Sequence, residues 1–141
     1  MADGSEHTFD LALVTPEGAA FDGEAQMVVV PGDAGEIGVL ARHAPLVALL
    51  RAGETRVKSG GEWQSFATGP GYFKVQKDRA IALVDDAVKA GDIEPGAARR
   101  EVEEARALLE RAEAGEEGID RWVAEQRLRH AENKLSIAGG S

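Results

Sequence analysis

The sequence predicts an α+β protein, an N-terminal β-sandwich followed by an antiparallel α-helical hairpin. Three observations carry that expectation. Short apolar runs recur about every 8–12 residues through the first part of the chain, with Gly and Pro between them, as in an all-β sandwich or barrel. Beyond Gly91 the apolar period lengthens from two to 3.6. A single break, Ala114-Gly115-Glu116-Glu117-Gly118, then divides the helical part in two. The expected division is residues 1–88 for the sandwich and 89–141 for the hairpin.

Each element has its own signal. Phe9, Leu11 and Leu13 alternate with Asp10 and Ala12 and run into Thr15-Pro16-Glu17-Gly18, a strand and then a turn. Ala25-Gln26-Met27-Val28-Val29-Val30 is β-branched and stops at Pro31-Gly32. Thr55-Arg56-Val57-Lys58 and Trp63-Gln64-Ser65-Phe66-Ala67 flank Ser59-Gly60-Gly61-Glu62, which reads as a hairpin. Tyr72-Phe73-Lys74-Val75-Gln76 and Ala80-Ile81-Ala82-Leu83-Val84, with Lys77-Asp78 between them, read as another. Ala98, Val102, Ala105, Leu109 and Ala112 form the apolar stripe of the first helix, and Pro95 suits its first turn, where a missing N–H costs nothing. Ala124, Leu128, Ala131 and Leu135 repeat the spacing on the second helix, with Ile119, Trp122 and Val123 at its start and Gly139-Gly140 after its end. Taken together the two stripes are mainly alanine with a few leucines and a valine, so two helices alone bury little area. A weakly docked arm follows, packed on the sandwich or reaching to a partner. Glu117/Arg121 and Glu125/Arg129 stand in the favourable i,i+4 order of a solvated face.

Composition narrows the function. With 25 acidic against 16 basic residues and a formal charge of -9, the chain would be repelled by a phosphate backbone, so nucleic acid is a poor partner. It contains no cysteine, which excludes disulfides, thiolate metal sites and a cysteine nucleophile. The start, Met1-Ala2-Asp3-Gly4-Ser5-Glu6-His7, has neither the basic and apolar regions of a secretory signal nor the arginines of a transit peptide. The longest apolar run, residues 44–50, is far short of the ~20 residues a bilayer requires. His7, His43 and His130 are scattered without ligand spacing, so no metal is expected. His130 and Glu132, two apart on a helix, read as a bland surface pair. No Gly-x-Ser-x-Gly occurs, and Asp85-Asp86 at a strand end is expected to start a turn rather than serve as a general acid/base pair. Gly32-Asp33-Ala34-Gly35-Glu36-Ile37-Gly38 lacks dinucleotide-binding spacing. On chemistry alone it is a long glycine-rich loop between strands, and no enzyme active site is expected.

Residues along nearly the whole chain carry a resemblance. They are Val14-Thr15-Pro16-Glu17 through Phe21, the valine-rich run into Pro31-Gly32, Gly35-Glu36-Ile37-Gly38-Val39-Leu40 and His43-Ala44-Pro45-Leu46. Leu49-Leu50-Arg51-Ala52-Gly53, Gly69-Pro70-Gly71-Tyr72-Phe73 and Leu83-Val84-Asp85-Asp86-Ala87 complete the set. With them the chain resembles the epsilon family of F-type ATP synthases, called delta in mitochondria, and the His-Ala-Pro-Leu segment at this spacing is the most specific part. The resemblance implies a sandwich of about ten strands and a non-catalytic rotor subunit of the central stalk, coupling c-ring rotation to ATP synthesis. It implies the gamma subunit and the c-ring as partners of the sandwich, and the alpha/beta hexamer as partner of a hairpin that inhibits ATP hydrolysis.

Carried onto this sequence, Asp33, Glu36 and Ile37 would face the c-ring, and His43, Ala44, Pro45 and Leu46 would approach gamma, although Pro45 and Leu46 could equally close the sandwich core. Arg121, Arg127 and Arg129 would make the hairpin's regulatory contacts. The family's ATP pattern falls on Ile93-Glu94-Pro95-Gly96-Ala97-Ala98, where Glu94 replaces Asp and Ala97 stands in place of the phosphate-binding Arg. Glu94, Arg99 and Arg127 would remain for a nucleotide. Loss of a charge-assisted donor weakens phosphate binding, so ATP is not expected to regulate this chain and no cofactor is required. The expected location is the cytoplasmic side of a bacterial inner membrane, peripheral and without insertion, with a plastid-encoded protein as the alternative. The rival reading is a stand-alone β-sandwich binding module or a small enzyme.

Overall fold

The structure, a computed structural model, describes residues 7–140; the acidic stretch before His7, read above for targeting signals, lies outside the described residues. Among these, ten strands precede two helices. The strands are β1 (Phe9–Thr15), β2 (Gly18–Ala25), β3 (Met27–Gly32), β4 (Gly35–Leu40), β5 (Leu46–Leu50), β6 (Gly53–Ser59), β7 (Glu62–Thr68), β8 (Gly71–Val75), β9 (Arg79–Val84) and β10 (Ala87–Lys89). A 3-10 turn at Ala90–Asp92 leads to α1 (Pro95–Glu113) and α2 (Arg121–Gly140). This is the α+β arrangement that the switch of period predicts.

The strands hydrogen-bond in the order β10-β7-β6-β3-β5-β8-β9-β1-β2, with β4 branching from β3. Every pairing is antiparallel except β1 with β9. The two ends of that order, β10 and β2, lie against each other, so the sheet curls around one core. Alternation supplies that core. Phe9, Leu11 and Leu13 of β1, Phe73 and Val75 of β8, and Ala80, Ala82 and Val84 of β9 point inward with Phe66, Val57 and Val39. In β3, Val28, Val29 and Val30 are all buried, so this strand, which pairs with β4, β5 and β6 at its edges, is covered on both faces as well. A buried hydrogen bond of 2.9 Å between the Thr55 and Thr68 hydroxyls satisfies the polar groups that β6 and β7 bring inside.

Two sequence expectations change. Residues 32–38 are not a long loop. Val30 pairs with Ile37, Pro31 with Glu36 and Gly32 with Gly35, leaving Asp33-Ala34 as a two-residue turn. Gly35 there has φ 138, a conformation open to glycine and closed to most side chains. β2 has no counterpart in the apolar pattern, since Gly18-Ala19-Ala20-Phe21-Asp22-Gly23-Glu24 is weakly β-forming. It is held by its ladder to β1.

The helix ends follow their caps. Pro95 opens α1, and Gly115 at φ 85 lies just beyond its end. An ion pair of Arg111 with Glu116 spans the turn that follows. That contact holds the Glu116 carboxyl below its usual range. The Asp120 side chain accepts the Val123 N–H at 3.0 Å, so α2 begins after Asp120 and Ile119 precedes it. The helix runs on through Gly139 and Gly140 instead of stopping before them.

Candidate functional site

The outward face of β5, β8 and β9 is apolar. Cross-strand register sets Leu49 beside Tyr72 and Tyr72 beside Leu83, while Val47 stands next to Lys74 and Lys74 next to Ile81. Val47, Leu49, Tyr72 and Leu83 are 71%, 64%, 52% and 41% exposed. Scattered exposed apolar residues are ordinary, but an aligned row across three strands is a contact surface in waiting.

The sequence-predicted partner residues lie at the two ends of this sheet. Asp33 is exposed in the β3–β4 turn, and its N–H donates to Leu49 O at 2.9 Å. Glu36 is exposed on β4 and faces Arg56 at 3.4 Å, while Ile37 is turned toward the core and half-buried. His43, Ala44, Pro45 and Leu46 lead into the opposite end of β5. His43 Nδ1–H donates to the Ala44 carbonyl at 2.7 Å, and the Arg42 N–H to Asp78 Oδ1 at 2.9 Å, pinning this segment to the β8–β9 turn. Leu46 packs on the core, whereas Ala44 and Pro45 are exposed. The Leu49 end of the apolar face thus abuts Asp33, and its Val47 end adjoins Pro45.

The second candidate site is the junction of hairpin and sandwich. Gln126, His130 and Lys134 recur every four residues and so share one face of α2. Gln126 Oε1 accepts the Ala52 N–H at 2.8 Å in a buried bond between β5 and β6. His130 Nε2 hydrogen-bonds Asp86 Oδ2 at 2.7 Å. Lys134 Nζ lies 3.9 Å from the same oxygen and 2.7 Å from Glu101 of α1. The His130 and Lys134 side chains are each only 13% exposed. The hydrogen bond from His130, with Lys134 nearby, holds the Asp86 carboxyl below its usual range. Its neighbour Asp85 goes the other way, pushed up by burial against the pull of His130 and Arg127. Gly69 makes room for it, since a Cβ there would fall 1.8 Å from Asp85 Oδ1.

This geometry corrects two readings of the hairpin. His130 is turned into the junction, away from Glu132, because Asp86 offers it a carboxylate. Glu132 instead approaches Arg106 at 4.0 Å. Arg121 pairs with Glu113 at 3.3 Å and with Glu125 at 4.0 Å, since the tight interhelix turn brings the end of α1 within its reach. These contacts replace the Glu117/Arg121 pairing read from spacing. The residues named for a nucleotide are not gathered. Glu94 and Ala97 line a cleft of about 230 Å³, Arg127 lines the adjoining interhelix groove beside His130, which meets the cleft at Glu101 and Lys134, and Arg99 lines neither. Arg129 is exposed.

The family described as ATP synthase, Delta/Epsilon chain, beta-sandwich domain matches residues 8–90. The chain belongs to the ATP synthase delta/epsilon family. It is 39% identical over 137 residues to the ATP synthase epsilon chain of Halalkalibacterium halodurans, covering 94% of this chain and 98% of the relative. To the chloroplastic ATP synthase epsilon chain of Coffea arabica it is 34% identical over 122 residues, covering 86% and 92%. Among solved structures it superposes on a chain of the Euglena gracilis mitochondrial ATP synthase with a TM-score of 0.72 at 23% identity, covering 89% of this chain and 78% of that one. That likeness bears on fold alone.

Within the delta/epsilon fold, sequence reasoning missed the polar stripe of Gln126, His130 and Lys134. Its only signal was a four-residue spacing of groups that look like ordinary surface. The Glu36–Arg56 contact is long and solvent-exposed, so Glu36→Gln is expected to change unfolding free energy by under about 0.5 kcal/mol in a denaturant titration. A larger loss would tie Glu36 to the fold and remove it from the candidates for partner contact.

Proposed function

We propose that the chain is the non-catalytic central-stalk subunit of an F-type ATP synthase, with a sandwich that binds the rotor and a hairpin that restrains ATP hydrolysis. The observation that carries this reading is the exposed apolar row of Leu49, Tyr72 and Leu83 with Val47 beside it, flanked by Asp33 and Glu36 at one end and by the segment from His43 to Pro45 at the other. A surface of that character serves a lasting protein contact better than it serves a small substrate. The gamma subunit is the partner proposed for the row and for His43, Ala44 and Pro45. Loops of the c-ring are proposed for Asp33 and Glu36, where exposed carboxylates orient a contact more than they strengthen it. Ile37 and Leu46, turned toward the core, would support these segments from behind. Arg121, Arg127 and Arg129 are proposed for contacts of the lifted hairpin with the alpha/beta hexamer. The complex would place the chain at the inner membrane of a bacterium, peripheral and on the cytoplasmic side. Among the described residues no helix is long and apolar enough to cross a membrane. Ala97 in the cleft, with Arg99 lining neither the cleft nor the adjoining groove, supports a hairpin whose position does not depend on ATP.

ATP hydrolysis by the catalytic complex, reconstituted with the full chain or with one ending before Gly91, tests the reading. Hydrolysis is expected to rise severalfold with the truncated chain while binding persists. Equal rates would reduce the role to assembly and coupling. Failure of both forms to bind would sink the rotor assignment.

A further inference from the structure

The described hydrogen bonds and ion pairs that tie α2 to the sandwich come from its polar stripe, whereas its buried apolar residues, Ala124 and Ala131, belong to the stripe predicted to face α1. We propose that Asp86 is the receiving half of a latch whose other half is His130 and Lys134, and that this latch sets how often the hairpin leaves the sandwich. The inference rests on the lifting hairpin proposed above and supplies its means of release.

Among the described polar contacts, lifting the hairpin as a unit breaks those of Gln126 with Ala52, His130 with Asp86, and Lys134 with Asp86. The bond between Lys134 and Glu101 lies within the hairpin and travels with it, so Lys134 keeps a carboxylate in both positions. Asp86 and the Ala52 N–H return to water, which replaces their partners, so each contact contributes little net free energy. A polar junction can therefore open at modest cost, and removing one contact should change the docked population by an order of magnitude without unfolding either part. Charge is concentrated on one point. Asp86 meets His130 and Lys134, while Asp85 beside it feels His130 and Arg127 against the cost of its own burial. Among the described contacts Asp86, and not Asp85, bonds the hairpin, so neutralising Asp85 should not loosen the junction as neutralising Asp86 does.

Amide hydrogen exchange at Ala52 in the isolated full-length chain reads the docked state, because that N–H ends on Gln126. Asp86→Asn and His130→Gln are each expected to speed Ala52 exchange about tenfold, the scale of a charge-assisted hydrogen bond partly open to water. The double variant should go little further than either single one, since both remove the same bond. Asp85→Asn should leave the rate unchanged or slow it. Exchange at Phe73, in the core, serves as the control for global unfolding, and Lys134→Met provides a second variant should Asp86→Asn fail to fold. Unchanged Ala52 exchange in Asp86→Asn and His130→Gln, independent effects that simply multiply, or equal loosening by Asp85→Asn would each overturn the latch. The same variants in the reconstituted complex separate the two claims. A latch that opens without any change in inhibition sinks the regulatory reading and leaves the latch standing.

Discussion

Gly71→Ala is expected to lower the free energy of unfolding by about 3 kcal/mol or more. A Cβ at this position would fall 1.8 Å from Leu83 O and 2.7 Å from Val84 Cα, both backbone atoms of the paired strand β9. No rotamer change relieves such an overlap, so β8 and β9 must separate where Gly71 pairs with Val84. That pairing carries Phe73 and Val75 on one side and Ala80, Ala82 and Val84 on the other, all in the core. Strain at the end of the ladder would therefore reach well-packed side chains. A denaturant midpoint measured beside the parent chain checks this. A loss under about 1 kcal/mol would mean that the end of the ladder peels open at little cost.

Leu49→Asp and Tyr72→Ala should do the reverse, sparing the fold and abolishing assembly. Both side chains are more than half exposed, so stability should move by no more than about 0.5 kcal/mol. They are cross-strand neighbours in the outward row, and anchors of an interface contribute about 2–4 kcal/mol each. That corresponds to a loss of roughly 30- to 1000-fold in affinity. Titration of each variant into a catalytic complex depleted of this chain supplies the number. Binding within about threefold of the parent would move the partner surface elsewhere on the sandwich.

Much of this architecture was legible in the residues because burial imposes a period. Phe9, Leu11 and Leu13 announced β1, and the change to spacings of three and four announced the helices. The segments that escaped were those whose order comes from partners. β2 is a poor strand former held by β1, and β4 continues a hairpin whose glycines look like a loop. The junction was illegible for a different reason. Gln126, His130 and Lys134 are the residue types of a solvated face, and only the docked position of α2 brings two of them to Asp86. Tyr72 was read as part of a strand and Leu49 only as part of an apolar run, but that they stand side by side facing outward follows from register, which alternation in a single strand does not reveal.

The parallel pairing of β1 with β9 has a consequence for the order in which the chain folds. It joins Asp10 to Arg79 and Val14 to Leu83, positions roughly seventy residues apart, while every other ladder joins positions about thirty residues apart or fewer. Closing a loop of that length costs about 3 kcal/mol more than closing a two-residue turn. Early in synthesis β1 has only β2 to pair with, and the core that Phe9, Leu11 and Leu13 enter lacks Phe73, Val75, Ala80, Ala82 and Val84 until β8 and β9 exist. The earliest-made of the ten described strands is thus among the last to dock, and a chain interrupted before Arg79 would keep the apolar face of β1 in water.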